Sequence, residues 1–290
     1  MQIRTKRWSS PTLLLTTLPL AALLITFFIV PLAMTGVLSF QGTEYYRLVW
    51  TWDLEVWREV FSQFSYWSTM LRTLTMALIA VFLCVVISIP VAYALVHRLA
   101  AVQNHVKILI VFAFLTDAVL KSFGWVLFLD RSGVFNGMFA LIGFGPVTTD
   151  ILFEPAATMI GMVYNHLPYT IFTIYLSMSR IDRDLMQAAY DAGASKIRTF
   201  FEVTLPLSLP GILAGGVLVF VLSLGVFLEP KVLGGGKAPM AAELIRQTFE
   251  TRVNWPLGAA LTLVLIVIGA LTVIAASALL LRLLPKTGEH

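Results

Sequence analysis

Apolar residues in this chain fall in long unbroken runs, unlike the three-and-four spacing of a helix half buried against a core. Stretches free of Asp, Glu, Lys and Arg cover residues 8–41, 73–97, 155–179, 203–228 and 253–281. Each exceeds the roughly 20 residues an α-helix needs to cross about 30 Å of hydrocarbon. A sixth apolar run, 108–129, is broken only by Asp117 and Lys121. The pattern predicts an all-α integral membrane protein with six spans in one domain, residues 1–290. Those spans lie at about 13–40, 71–96, 108–129, 156–179, 211–228 and 257–281.

The segments between spans carry weaker signals. Leu54, Trp57, Val60, Phe61 and Phe64 recur at helical spacing with Glu55, Arg58, Glu59 and Gln63 between them. That predicts an amphipathic helix over 53–64, lying in the membrane interface or packed on the outer ends of the spans. The loop 130–155 is rich in Gly, Asp and Thr, with a short apolar piece at 134–142. The loop 229–256 holds Gly234-Gly235-Gly236, which reads as a flexible turn, and a predicted helix over 240–249.

Composition sharpens this picture. The 290 residues are 58% hydrophobic and 12% charged, with a mean hydropathy of +0.86. A soluble domain carries about 25% charged residues, so a soluble globular chain is excluded. Arg4, Lys6 and Arg7 resemble the basic start of a signal peptide. The apolar stretch that follows is far longer than the about 7–15 residues of such a signal, which predicts an uncleaved first span. The one cysteine, Cys84, falls inside the second span. It excludes an intrachain disulfide and a cysteine metal cluster, leaving a small buried apolar residue.

The net charge of +4 reports topology and not a nucleic-acid partner. With six spans, one side of the membrane holds Arg4, Lys6, Arg7, Arg98, Lys107, Arg180, Arg183, Lys196, Arg198, Arg282 and Lys286. The other holds Arg47, Arg58, Arg131, Lys231, Lys237, Arg246 and Arg252 with most of the acidic residues. The positive-inside rule then places both termini in the cytoplasm.

The cytoplasmic loop 180–210 is long, amphipathic and ended by prolines. Asp182 and Asp184 suit a helix start, where carboxylates meet the positive end of the macrodipole. Leu185, Ala188 and Ala189 make one small-residue face, and Gly193 supplies the positive φ of a helix stop. Ser195 caps a second short helix carrying Ile197, Phe200 and Phe201. Two short helices around a glycine form a knob suited to a groove on a partner. Within this loop Gln187-Ala188-Ala189, then Gly193, then Val203-Thr204-Leu205-Pro206 resembles the EAA loop of binding-protein-dependent ABC importer permeases. That family pattern is Glu-Ala-Ala, three residues, Gly, nine residues, Ile, one residue, Leu-Pro. The spacing agrees throughout, with Val203 in the Ile position and Gln187 in place of the usual Glu.

The resemblance implies the type I importer permease fold in a bacterial inner membrane. It also implies a coupling loop that takes in Gln187, Ala188, Ala189, Asp191, Gly193, Ala194, Ser195, Lys196, Leu205 and Pro206. Within it, residues 190–201 would include the helix that seats in a groove of the ATPase. The implied partners are two copies of an ABC ATPase subunit, a second and different permease subunit, a solute-binding protein and the lipid bilayer. ATP and Mg²⁺ belong to the ATPase, with no cofactor on this chain. Gly234-Gly235-Gly236-Lys237-Ala238 lacks both the earlier glycine and the Ser or Thr of a phosphate loop. His97, His105, His166 and His290 have no metal-ligand spacing, and no nucleophile–base arrangement is visible.

Over most of its length the chain is most similar to permease subunits of spermidine/putrescine-type importers. The residues that carry this are Leu233-Gly234-Gly235-Gly236, Leu244-Ile245, Phe249 and Asn254-Trp255-Pro256-Leu257-Gly258-Ala259-Ala260. Gly161-Met162-Val163-Tyr164, Leu167-Pro168 and Lys121-Ser122-Phe123-Gly124-Trp125 agree with it. The resemblance implies a polyamine or related amine-containing solute, while related permeases carry iron, opines or aminophosphonates.

Candidate pathway residues follow from the cost of polar groups inside a bilayer, which confines them to protein-lined or wet interiors. Asp117 and Lys121 stand one helical turn apart, acid before base. They read either as a self-neutralising pair or as a site for a solute with amine and acid groups. Trp125 lies one turn on. Tyr164, Asn165 and His166 before Pro168 interrupt the fourth span, for solute contact or for polar packing between helices. Glu229, with Pro230 and Lys231, closes the fifth span as a solvated helix end or a gate. Gly211 and Gly215 let that span approach a neighbour closely. A stand-alone ion-coupled transporter is the reading from another class; it leaves the 187–206 loop without a purpose.

Overall fold

The computed structural model describes residues 17–20, 22–44, 47–97, 103–143 and 151–283. The basic residues Arg4, Lys6, Arg7, Arg98 and Lys286, on which the orientation argument leans, lie outside them. The helices are α1 (Thr17–Leu38), α2 (Glu55–Ser62), α3 (Phe64–His97), α4 (Gln103–Leu115), α5 (Ala118–Leu129) and α6 (Val134–Leu141). After them come α7 (Pro155–Met178), α8 (Arg183–Asp191), α9 (Lys196–Leu224), α10 (Leu228–Val232), α11 (Ala241–Glu250) and α12 (Trp255–Leu283). Strands β1 (Gly42–Glu44) and β2 (Arg47–Val49) form an antiparallel hairpin with Thr43 opposite Leu48.

Two units can be distinguished. One contains the described residues up to Phe64 together with Ile245–Ile266. Its α1 widens to a π turn at Ile25–Ile29, where Val30 N–H reaches back to the Ile25 carbonyl, immediately before Pro31. A wide turn suits that position because proline has no N–H for the regular ladder. The amphipathic segment forms as α2, started by Asp53 Oδ1 accepting from Glu55 N–H at 3.0 Å. Val60 is buried, and the Trp57 ring lies between Phe40 (5.8 Å) and Phe61 (6.1 Å). Asn254 Oδ1 accepts from Leu257 N–H at 3.1 Å and opens α12.

The other unit contains Ser65–Leu244 and the described residues from Val267 on. Its longest helix, α3, is inside out by the standard of a soluble protein. Thr73, Ala77, Ala80, Cys84, Ser88 and Ala92 are buried, at spacings of three and four. Leu71, Leu78, Ile79, Phe82, Val86 and Ile87 are exposed. Small and weakly polar groups face protein while large apolar ones face outward, as expected where the surrounding solvent is hydrocarbon. α7 and α9 pack on that small-residue face. Cys84 clusters with Val163 and Val219, and Ala92 with Ile174 and Met178. A Cβ on Gly211 would lie 2.8 Å from the Thr173 carbonyl, and one on Gly215 would lie 2.5 Å from Thr173 Oγ1. The two glycines therefore serve packing, and the neighbour is α7.

Among the described residues, α1, α3, α9 and the Trp255–Ala278 part of α12 are long and apolar enough to cross a membrane. α7, at 24 residues, has the length but carries Tyr164, Asn165 and His166. The third run departs from expectation. It is not one helix: α4 and α5, of 13 and 12 residues, meet at an extended Asp117 with ψ 142°.

The fifth span also differs. Its helix begins at Lys196, not near Gly211, and takes in Pro206 and Pro210. A π turn at Phe200–Thr204 precedes Pro206, with Leu205 N–H bonded to the Phe200 carbonyl. Widening the turn lets the helix carry a residue that cannot donate.

Candidate functional site

The loop 180–210 is built by three local devices. Asp182 Oδ1 accepts from Asp184 N–H at 3.1 Å and starts α8. Gly193 ends it at φ +84°, with Gly193 N–H on the Tyr190 carbonyl (2.9 Å) and Ala194 N–H on the Ala189 carbonyl (3.0 Å). Ser195 Oγ then accepts from Arg198 N–H at 3.3 Å and starts α9. All three follow the expectation from sequence, except that the second helix continues into a span of membrane length. Gln187, Ala188, Asp191, Gly193, Ser195, Lys196 and Pro206 are exposed, and Ala189, Ala194 and Leu205 are half-buried.

Apolar side chains stand out from this loop: Leu185 is 50% exposed, Ile197 73% and Phe201 59%. Phe200 turns the other way, edge-on to Tyr93 of α3 at 5.1 Å. Ile89, Pro90, Tyr93 and Ala94 of α3 and Lys196, Ile197, Phe200 and Phe201 line a cavity of about 470 Å³. The end of α3 thus supports the start of α9, a role the sequence does not announce.

The second place is the break between α4 and α5. Asp117 Oδ1 accepts from Val119 N–H at 2.8 Å and caps α5. Lys121 Nζ reaches back to the Ala113 carbonyl in the last turn of α4 at 2.7 Å. The expected Asp117–Lys121 pair is replaced by two separate caps, because each side chain turns to a helix end: Asp117 to the first turn of α5 and Lys121 to the last turn of α4. A helix end leaves unsatisfied backbone groups that side chains must meet. Lys121, Trp125 and Tyr164 share a cavity of about 440 Å³ with Thr116, Leu120, Gly124 and Phe128. Its rings meet edge-on, Trp125 with Phe128 at 5.4 Å and with Tyr164 at 5.5 Å. Asp117 is exposed at the start of α5.

Asn165 and Glu229 come together elsewhere. Glu229 is only 5% exposed, and its Oε1 accepts from Asn165 Nδ2 at 2.6 Å. The solvated helix end expected at Glu229 is thus a buried carboxylate. α10 folds back on α7 at Gly161, where a Cβ would lie 3.2 Å from Glu229 Cγ. His166 is also buried, with Nδ1 3.5 Å from Ser223 Oγ. α7 runs through Pro168 without interruption, although proline has no N–H to give the Tyr164 carbonyl. Of the three polar residues before it, only Tyr164 lines the cavity.

The glycine run forms a hydrogen-bonded turn. Gly234 and Gly236 N–H groups bond to the Glu229 and Pro230 carbonyls at 3.1 Å, and Phe153 N–H to the Leu233 carbonyl at 2.7 Å. Gly235 and Gly236 take φ of 62° and 68° there. Sequence reading missed Thr116 and Phe128 as cavity residues. Phe128 had a legible signal, three positions after Trp125 on one helix face; Thr116 had none, since its place depends on the break.

Residues 8–285 match the family described as binding-protein-dependent transport system inner membrane components. The spermidine/putrescine transport system permease protein PotB of Escherichia coli strain K12 is 34% identical over 203 residues, 70% of this chain and 74% of that protein. PotB of Haemophilus influenzae is 31% identical over 253 residues, 86% of this chain and 87% of that protein. The bacterial alginate ABC transporter, solved in complex with an alginate pentasaccharide-bound periplasmic protein, contains a chain of the same fold. It superposes with a TM-score of 0.75 at 17% identity, over 96% of each chain.

Proposed function

The chain belongs to the family of binding-protein-dependent transport system inner membrane components, the permease subunits of ABC importers, and from that premise we propose how it works. It is a multi-pass inner-membrane protein. It forms half of a solute pathway and couples to a separate ATPase through the loop 187–206. It crosses the membrane six times as one domain, with α4 and α5 making one broken crossing and both termini cytoplasmic. ATP and Mg²⁺ bind to the ATPase chains. The working assembly has two ATPase copies, a second and different permease subunit and one solute-binding protein.

The observation that carries this reading is the knob from Leu185 to Phe201. Its two capped helices flank Gly193, and the second is the start of α9, continuing through the π turn at Phe200–Thr204 into the span. A push on the knob therefore moves a whole span as a rigid lever, the motion that alternating access requires. With Gln187 in place of a carboxylate, docking relies on the shape and apolar surface of the knob and not on an ion pair there. The pathway residues are Lys121, Trp125 and Tyr164, with Asp117 at the break; Asn165 and Glu229 hold α10 against α7 beside it. The solute is a polyamine or a related small amine-containing molecule, in keeping with the solutes named for the two PotB relatives.

ATPase activity of the reconstituted complex, with and without loaded binding protein, tests the reading. Gly193→Asp forces a side chain into a left-handed backbone and adds charge to the knob. Stimulation in the wild type that collapses in Gly193→Asp is the expected result. Transport by this chain alone, indifferent to ATP and to Gly193, would make it an ion-coupled secondary transporter.

A further inference from the structure

The break between α4 and α5 collects groups that attract a cation. The C-terminal end of a helix carries about half a negative charge, from carbonyls with no following turn. In α4, Thr116 N–H satisfies the Phe112 carbonyl at 3.0 Å. The chain then turns away at Asp117, leaving the carbonyls of the last turn to other partners. The cavity walls are Trp125, Phe128 and Tyr164, and aromatic faces attract ammonium groups. Thr116 spends its hydroxyl proton on the Phe112 carbonyl at 2.9 Å, which leaves its oxygen as an acceptor.

Lys121 is the only cation among the lining residues of this cavity. Its ammonium sits on the Ala113 carbonyl at 2.7 Å, at the end of a flexible four-carbon stem. We propose that Lys121 is a tethered stand-in for the ammonium group of the solute. A primary ammonium passing through the pathway competes with Lys121 for the Ala113 carbonyl and the aromatic walls, and Lys121 swings aside to admit it. A built-in competitor keeps the subsite weak, and conduction requires a site that is favourable to enter yet easy to leave. This inference rests on the importer reading and deepens it by assigning the group of the solute that the membrane subunit recognises.

The test uses the full permease–ATPase complex in nanodiscs without binding protein, with radiolabelled spermidine as the probe at equilibrium. Lys121→Met keeps the stem and removes the charge. We expect spermidine to bind roughly tenfold more tightly to Lys121→Met, the ratio set by about 1.4 kcal/mol, and turnover to slow as release slows. Lys121→Arg, which retains a cation, stays within about threefold of the wild type on the same scale. Trp125→Leu in the wild-type background lowers spermidine binding and decides the matter if Lys121→Met does not assemble. Equal or weaker binding to Lys121→Met, no binding to either protein, or indifference to Trp125→Leu would overturn the proposal. Glutamate binding that depends on Lys121 would also overturn it, marking the residue as an anion receptor. ATPase stimulation by loaded binding protein, measured on the same wild-type samples, reports on the importer reading separately.

Discussion

Gly211 sits where α9 meets α7, with the Thr173 carbonyl 2.8 Å from where a Cβ would stand. Gly211→Ala is expected to overpack the contact at a cost of about 1–3 kcal/mol, read as a lower Tm of the purified permease. Gly216 makes a control on the same helix, because its Cβ would meet only Val81 Cγ1, at an ordinary 3.5 Å. Gly216→Ala should be neutral, or stabilising by about 0.5–1 kcal/mol, through reduced backbone freedom in the unfolded chain. Identical residues five positions apart thus diverge because one faces a backbone carbonyl and the other a yielding side chain. The Asn165–Glu229 bond makes a second residue-scale case. Asn165→Leu leaves the buried carboxylate without its donor, and a hydrogen bond to a charged group is worth about 1.5–3 kcal/mol. A fall in Tm is expected, with partial recovery on adding Glu229→Gln; no change in Tm would remove the bond from the account of how α10 is held.

Elements here are defined by their ends more than by their interiors. α4 and α5 together have the length and apolarity of one span, yet Asp117 opens a new helix between them. Asn caps a helix as well as Asp does, whereas Ala costs about 1 kcal/mol at such a position. Asp117→Asn is therefore expected to keep the break and transport near wild-type rates, while Asp117→Ala loses both stability and transport. Loss in both variants would instead assign the Asp117 carboxylate to solute contact. The same logic separates α8 from α9. Gly193 has open space around it but a φ of +84°, so a side chain is refused by the backbone and not by neighbours. Any effect of Gly193→Ala on coupling would trace to the angle between the two helices.

At the scale of the whole molecule the issue is which parts face which side of the membrane. Tyr190 in the knob and Lys237 in the glycine turn are both exposed, and the proposed topology puts them on opposite faces. Cys84, the only cysteine, is buried and leaves no background for thiol labelling. In intact cells a membrane-impermeant maleimide should label Lys237→Cys, and Tyr190→Cys only after permeabilisation. Labelling of both from outside would refute the topology. The assembly is testable at the same scale: affinity purification of the complex should yield this chain with a second permease of different sequence and an ATPase.

Periodicity and caps were legible in the chain itself. Charge-free runs marked where membrane helices lie, and Asp182, Gly193 and Ser195 marked the knob, because each acts on backbone within four residues of itself. Gly211 and Gly215 also signalled that the fifth span packs closely on a neighbour, without saying which. Only the tertiary structure decided that the third run breaks at Asp117, since a cap and a paired carboxylate look alike in sequence. It alone decided that Lys121 turns to Ala113, that Glu229 is buried on Asn165, and that Trp125, Phe128 and Tyr164 share a wall. Those outcomes depend on groups as far apart as Asn165 and Glu229, whose meeting is fixed by how α10 folds back on Gly161. Local chemistry is written residue by residue, whereas a buried charge finds its partner only when helices close on one another.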